Sequence, residues 1–198
     1  MSISRNEGVL LGKWDHFWAV LLLPVATTLL PPLFIILITK ESILLWFQSL
    51  PVNVLSIVAG SWTIGIGLIV LYKTIQLFST LGNGTLAPWN PPKRLVVDGI
   101  YRHVRNPMIF GVLIIVLGEA ILLGSIFIFL WFIIFGVGNH IYFIKREEPE
   151  LAARFGEEYL IYKKNVPRWI PRLKPWTGNE ENYTEGKSTI KEAVKLEK

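Results

Sequence analysis

The sequence contains no cysteine and few charged residues, and both shortages exclude kinds of chemistry. Without cysteine, none of the 198 residues can form a disulfide, act as a thiol nucleophile or offer a thiolate to a metal. Only 18% of the residues are charged and 52% are hydrophobic, which leaves too few charges to cover a water-soluble core. The net charge of +5 comes from basic residues dispersed around apolar runs, which fits an anionic membrane surface better than nucleic acid. We predict a membrane protein with no metal site and no nucleic-acid partner.

Long uncharged stretches predict four membrane spans. Residues 16–39 include 24 positions without a formal charge, and a second apolar stretch covers residues 51–73. Residues 106–144 hold a single carboxylate, Glu119, in 39 residues. At about 1.5 Å of rise per residue this stretch is roughly two bilayer cores long, and Gly124-Ser125 lies at its centre. We therefore predict an all-α integral membrane protein with four transmembrane helices, the last two forming a tight helical hairpin.

The basic residues predict the orientation of these spans. Lys40 is the single basic residue between the first two spans, and the turn between the last two has none. The other nineteen lie on the opposite side, so the positive-inside rule places both termini, the loop 73–105 and everything after Lys145 in the cytoplasm. The expected location is the cell inner membrane or its equivalent, with a multi-pass topology.

The segment after the fourth span predicts a cytoplasmic amphipathic helix at the membrane interface. Its apolar side chains recur at helical spacing: Leu151, Phe155, Tyr159 and Tyr162. Three prolines between 167 and 175 then end regular structure. We divide the chain into a two-span membrane region (1–78), a catalytic region (79–171) and a polar, disordered tail (172–198).

Two segments hold the residues that could do chemistry, 95–108 and 145–149. A hairpin that is symmetric about its turn brings Glu147 beside residues 101–105 at one membrane face. Two adjacent glutamates there could neutralise a cationic ligand, and Arg102 and Arg105 could hold a carboxylate or phosphate. The alternative is a set of interfacial charges that pair with each other and with lipid headgroups.

Around the predicted hairpin the chain carries an ordered set of motifs: Leu95-Val96-x-x-Gly99-x-Tyr101-x-x-x-Arg105-Asn106-Pro107-Met108, then Glu147-Glu148, then Phe155-Gly156-Glu157-Glu158-Tyr159. In this order they resemble the isoprenylcysteine carboxyl methyltransferase and phospholipid methyltransferase superfamily of integral membrane enzymes. The resemblance implies transfer of a methyl group from S-adenosylmethionine to a lipophilic small molecule or lipid in the membrane. It also implies that the cofactor binds at the cytoplasmic face.

The resemblance assigns roles to individual residues. The implied cofactor-binding set is Leu95, Val96, Tyr101, Asn106, Pro107, Met108, Ile109, Glu147 and Glu148. Within it, Glu147 would hold the ammonium of the cofactor, because a carboxylate facing a cation makes charge-assisted contacts. The catalytic candidates are Arg105, which could hold an anionic group, and His140, which could accept a proton from an amine acceptor.

Three positions depart from the family pattern. Asn106 stands where the family often has histidine, Ile109 where it often has tyrosine, and Phe143 where the isoprenylcysteine branch has an arginine for the substrate carboxylate. The last departure argues against a prenylcysteine acceptor. A lipid, a prenylated thiol, a quinone-like ring or a hydrophobic amine would suit the apolar spans equally, and the sequence leaves the oligomeric state open.

Two other functions stay open. One is a sterol-reductase-like enzyme that binds NADPH at a similar hairpin, although such enzymes have more spans and need basic contacts for the 2′-phosphate. The other is a non-enzymatic transporter or scaffold subunit that uses Glu119 and His140 as a polar conduit. We otherwise interpret Glu119 as a structural, protonated or hydrogen-bonded glutamate.

Overall fold

The computed structural model describes residues 13–39, 50–81 and 95–178, and all regular structure in these ranges is helical. Within these ranges the α-helices are, in chain order, α1 (Lys13–Thr39), α2 (Leu50–Leu81), α3 (Pro107–Leu123), α4 (Ile126–Tyr142) and α5 (Glu148–Asn165). A 3₁₀ turn, Gly99–Arg102, precedes α3, and a π-helical turn, Phe143–Glu147, joins α4 to α5. The prediction of an all-α chain is confirmed for the described residues. Helix α2 runs past the predicted end of the second span at residue 73.

Among the described helices, α2 and α3 pack against each other most extensively, and glycines remove side-chain volume where they cross. A Cβ atom on Gly67 would lie 2.6 Å from Cγ1 of Ile115, and one on Gly60 would lie 2.7 Å from Cα of Leu122. In the other direction, a Cβ on Gly118 would lie 2.8 Å from the backbone nitrogen of Ile64. Small residues allow two helices in a membrane to approach until their backbones touch, and packing then stabilises the pair.

The turn between α3 and α4 is as short as the sequence predicts. Gly124 ends α3 with a φ of 63°, a left-handed conformation that favours glycine, and its N–H donates to the carbonyl of Ala120. Ser125 begins α4, and its hydroxyl accepts a 3.3 Å hydrogen bond from the backbone nitrogen of Ile128. The prediction of a tight hairpin at Gly124-Ser125 is confirmed.

The surfaces of α1, α2 and α4 are apolar on the outside. Phe34 is 64% exposed, Trp62 74% and Ile134 63%, far more bare apolar surface than a water-soluble domain tolerates. Among the described residues, two stretches are long and apolar enough to cross a membrane, Val52–Leu77 and Ile126–Asn165, and Pro24–Thr39 and Pro107–Leu123 are shorter apolar helices. These features indicate a membrane protein.

A second, smaller core lies beyond the end of α4. Tyr159 and Tyr162 of α5 are buried there together with Val166, and Leu95 and Val97 pack against them. The apolar face that the sequence predicts on α5 is therefore covered by the chain itself. This core fixes the segment before α3 next to α5.

Candidate functional site

The two segments that the sequence predicts to meet do meet at the open end of the hairpin. Nη1 of Arg105, just before α3, lies 2.8 Å from Oε1 of Glu148, the first residue of α5. The π-helical turn determines which glutamate faces Arg105, because its wider helical turn changes the direction in which the following residues point. The expectation placed Glu147 beside residues 101–105, and the observed ion pair to Arg105 comes from Glu148.

Glu148 is the centre of a buried ion cluster. Its Oε1 accepts from Arg105 and from Nε of Arg168 at 2.7 Å, and Nη2 of Arg168 contacts the same oxygen. Its Oε2 lies 2.7 Å from Nζ of Lys163. Burial raises the pKa of the Glu148 carboxyl, but the hydrogen bonds from Lys163 and Arg168, together with the charges of Arg105 and Arg168, outweigh it and hold that pKa below its ordinary value. Glu148 is therefore ionised at neutral pH and already has three cationic partners.

Glu147 has the opposite environment. It is partly buried, and within the described part of the chain no arginine or lysine forms an ion pair with it. Burial, and then the carboxylates of Glu148 and Glu150, raise the pKa of Glu147 to about 7. A half-buried carboxylate without a counterion is disfavoured in its charged form until a cationic ligand approaches. Of the two adjacent glutamates, Glu147 is the one whose charge is not neutralised by the fold.

Tyr101 lies within electrostatic range of Glu147. Burial, followed by Tyr162 and the Glu147 carboxylate, raises the pKa of the Tyr101 phenol well above its ordinary value. The hydroxyl of Tyr162 donates a 2.8 Å hydrogen bond to the backbone carbonyl of Tyr101, which fixes this residue against α5. Tyr101 and Glu147 are thus near enough for the charge of the carboxylate to act on the phenol.

The other predicted cofactor residues surround the start of α3. Leu95 and the neighbouring Val96 are partly buried, and Leu95 packs against the core of α5. Asn106 caps α3 without using its side chain, and Pro107 is buried in the first turn, where its missing N–H costs nothing. The remaining two are Met108, which packs against the core between α2, α3 and α4, and Ile109, which is partly buried.

His140 lies in the last turn of α4, and it is exposed. Its Nδ1 is 3.0 Å from Nε1 of Trp169 and 3.1 Å from Nη1 of Arg168. Because both partners are donors, Nδ1 is the acceptor and the ring proton is on Nε2. The lone pair that a general base would use is therefore occupied in this structure.

A C-terminal strap, residues 166–176, lies across the segment before α3. The backbone nitrogen of Arg105 donates to the carbonyl of Pro167 at 3.0 Å. The backbone nitrogens of Arg172 and Trp176 donate to the carbonyls of His103 and Arg102, each at 2.9 Å. The strap includes residues 172–176 of the predicted polar tail, and the domain division itself stays a prediction.

A known protein family matches this chain. A model of the phospholipid methyltransferase family matches residues 53–158, which is more than half of the chain. The chain belongs to the phospholipid methyltransferase family. No solved structure matches the chain.

Two proteins are similar to this chain, and the one with a described activity supports the family. The chain is 39% identical over 87 residues to a protein-S-isoprenylcysteine O-methyltransferase of Schizosaccharomyces pombe, which covers 42% of this chain and 36% of that protein. It is 38% identical over 63 residues to an uncharacterized protein of Haemophilus influenzae, which covers 32% of this chain and the whole of that protein. The matched segment thus spans about a third of the fission yeast relative.

Two charged members of the site lie beyond the part of the chain that the family model matches. Lys163 and Arg168 follow residue 158, and both bind Glu148. The sequence motifs around the predicted hairpin end at Tyr159 and include neither of these two residues. Lys163 lies near the far end of α5 from Glu148, and Arg168 lies in the strap, which has no helical or strand periodicity, so no local pattern links either cation to Glu148. Only the fold shows that the two cations reach Glu148.

Proposed function

We propose that this member of the family is a membrane-embedded methyltransferase. It transfers a methyl group from S-adenosylmethionine to a lipophilic acceptor at the cytoplasmic face. The observation that carries the proposal is Glu147, a partly buried carboxylate without an ion pair among the described residues, close to Tyr101. Such a carboxylate suits the ammonium group of the cofactor.

The charged groups of the cofactor match two side-chain groups that lack a partner of their own among the described residues. Glu147 would hold the ammonium. Nε of Arg105 is a buried donor with no hydrogen-bond partner among the described residues, and it would hold the cofactor carboxylate. The Tyr101 ring would pack on the adenine. The remaining positions of the predicted set, from Leu95 to Ile109, would line the adenosine.

The chemistry asks the protein mainly for positioning. When bound, S-adenosylmethionine would supply an electrophilic methyl group on a sulfonium, and the residues named above would hold that group in line with the acceptor. The ion cluster at Glu148 holds the segment before α3 against α5, so Tyr101, Arg105 and Glu147 keep a fixed relation. Effective molarities from such fixed geometry are large, and burial keeps competing water away.

The hydrogen bonds of His140 affect which kind of acceptor the protein could methylate. An amine acceptor has to lose a proton, and His140 could take it only after Nδ1 is released from Trp169 and Arg168. A carboxylate acceptor would need no base. The name of the fission yeast relative, an O-methyltransferase, describes an oxygen acceptor for that protein. In this chain Phe143, buried at 4% exposure, occupies the position of the substrate arginine in that branch, so we propose a lipophilic acceptor and no prenylcysteine specificity.

The proposed membrane arrangement has four spans, α1 to α4, with both termini on the cytoplasmic side. Lys145 and Arg146, both exposed, follow α4 directly and mark the cytoplasmic end by the positive-inside rule. Helix α5 then lies at that face. This arrangement puts Glu147 at the boundary between the apolar acceptor phase and the water from which the cofactor enters.

Methyl transfer can be tested in membranes from cells that express the chain. With S-adenosylmethionine radiolabelled in the methyl group, wild type should give more label in the organic extract than membranes without the protein. Glu147→Gln should lower that excess by about tenfold or more, because a charge-assisted contact is lost. The matched control is Glu150→Gln, an exposed acid on the same turn, which should keep wild-type transfer. Equal label with and without the protein would contradict the proposal.

The raised pKa of Glu147 predicts a pH-dependent affinity. The cationic cofactor binds the ionised carboxylate, and protonation removes that partner, so binding should weaken as the pH falls through about 7 toward 5.5. Titration of the wild type with S-adenosylhomocysteine between pH 5.5 and 7 should show this loss. Glu147→Gln should bind more weakly and with little change over the same range, and an equally steep dependence in that variant would assign the titration to another group.

A further inference from the structure

The C-terminal strap and the end of α5 have an unusual combination of residues. From Tyr159 to Gly178 the sequence contains five basic residues and no acidic one. The five are Lys163, Lys164, Arg168, Arg172 and Lys174. Two large aliphatic side chains of the strap point outward, with Ile170 79% exposed and Leu173 99% exposed. Cationic side chains that flank bare apolar ones are typical of segments that lie in a membrane interface.

The backbone of the strap is held in place, so these side chains are presented on a fixed surface. The hydrogen bonds from Arg172 and Trp176 to the segment before α3 fix one edge. At the other end of the strap, Nε1 of Trp169 donates to His140 in the last turn of α4. The strap therefore lies at the level where α4 ends.

The apolar outer surface of α4 continues to this level. Ile134 is 63% exposed, Val137 53% and Ile141 47%, and the last of these adjoins His140 in the sequence. A bilayer that covers these side chains therefore reaches the height of His140. Ile170, which follows Trp169 in the strap, thus lies near the level to which the apolar surface of α4 extends.

We propose that the strap is a membrane-contacting element that inserts Ile170 and Leu173 into the headgroup region of an anionic leaflet. The exposed Lys164 and Lys174 would meet the lipid phosphates, whereas Arg168 is already bound to Glu148. The bilayer would then press the strap onto the segment before α3, which contains residues of the candidate site. The inference rests on the chain being a membrane protein and does not depend on the methyl donor.

The natural absence of cysteine makes the test simple. Single cysteines at Ile170 and Leu173 can carry a nitroxide without removal of any native thiol. Ile134 on α4 and Glu157 on α5, both exposed, serve as the lipid and water references. The labelled full chain is reconstituted in vesicles of phosphatidylcholine with phosphatidylglycerol. Collision of each nitroxide with oxygen and with a water-soluble nickel chelate is then measured by paramagnetic resonance.

The proposal predicts that the oxygen-to-nickel collision ratio at positions 170 and 173 is well above that at Glu157 and shifts toward that at Ile134. In vesicles of phosphatidylcholine alone, the ratio should move back toward the Glu157 value. A ratio equal to that at Glu157 in the anionic vesicles would place the strap in water and overturn the proposal. Low collision rates with both reagents would show that protein covers the strap, and this too would overturn it.

Discussion

Glu148→Gln is expected to destabilise the protein by about 3–5 kcal/mol, because it removes the carboxylate that binds Arg105 and Arg168 in a buried cluster and leaves both cations without that ion pair. Arg105 and Arg168 are 10% and 13% exposed at the side chain, so water cannot replace the lost charge. Lys163 is 43% exposed and contributes less, since solvent screens its pair. Thermal unfolding in detergent, followed by near-ultraviolet circular dichroism, measures the loss.

The neighbouring glutamate supplies the matched control. Glu147→Gln should leave the melting temperature at or above that of the wild type, since burial disfavours the charged form of this side chain and glutamine removes that cost. A melting temperature for Glu148→Gln within error of that for Glu147→Gln would show that the cluster does not hold the site together. The comparison changes one carboxylate to one amide at adjacent positions, so size and helix propensity cancel.

The second large effect is expected at the contact between α2 and α3. Gly67→Val places a Cβ 2.6 Å from Cγ1 of Ile115 and 2.9 Å from the carbonyl oxygen of Gly111, and a backbone oxygen cannot move aside as a flexible side chain can. Overpacking of this kind costs about 1–3 kcal/mol or more. The expected result is a large fall in the monodisperse fraction on size-exclusion chromatography in detergent and in the melting temperature.

Gly65→Val is the control, two residues earlier on the same helix. A Cβ on Gly65 meets nothing within 4 Å, so this variant should elute and melt like the wild type. If both variants lose stability equally, the effect comes from replacing glycine in α2 and not from the helix contact.

The hairpin could be predicted from the sequence because its signals are local. An apolar stretch of 39 residues is too long for one span, and a glycine at its centre supplies the left-handed residue that the turn needs. The meeting of residues 101–105 with the glutamates follows from the same symmetry, since two antiparallel helices of equal length bring their ends together. The ion pair between Arg105 and Glu148 confirms that the two segments meet.

The partner of Arg105 could not be predicted, because it depends on a π-helical turn. A regular helix through residues 143–147 would direct the two glutamates differently, and the sequence Phe-Ile-Lys-Arg-Glu contains no residue that signals a wider turn. The cofactor roles of Glu147 and Glu148 both stay predictions. The structure adds that Glu148 is occupied by three cations, whereas Glu147 has none among the described residues.

Two further features could not be predicted from the sequence: the contact between α2 and α3, and the strap. The role of Gly60, Gly67 and Gly118 in this contact can be seen only when the register of the two helices is known, because it depends on what each glycine faces on the other helix. The strap lacks periodicity, and its hydrogen bonds go to backbone groups of residues 102–105, which no side-chain pattern encodes. The apolar face of α5 was visible in the sequence, but a pattern cannot say whether lipid or protein covers it.

The most direct test of the account is calorimetric titration of the purified protein with S-adenosylhomocysteine at pH 7.5, using wild type, Glu147→Gln and Glu150→Gln, with NADPH as a second ligand. We expect saturable binding to the wild type and to Glu150→Gln, binding about tenfold weaker or more for Glu147→Gln, and none of NADPH. Folded wild type that binds NADPH but not S-adenosylhomocysteine, or a Glu147→Gln variant that binds S-adenosylhomocysteine as tightly as the wild type, would contradict it.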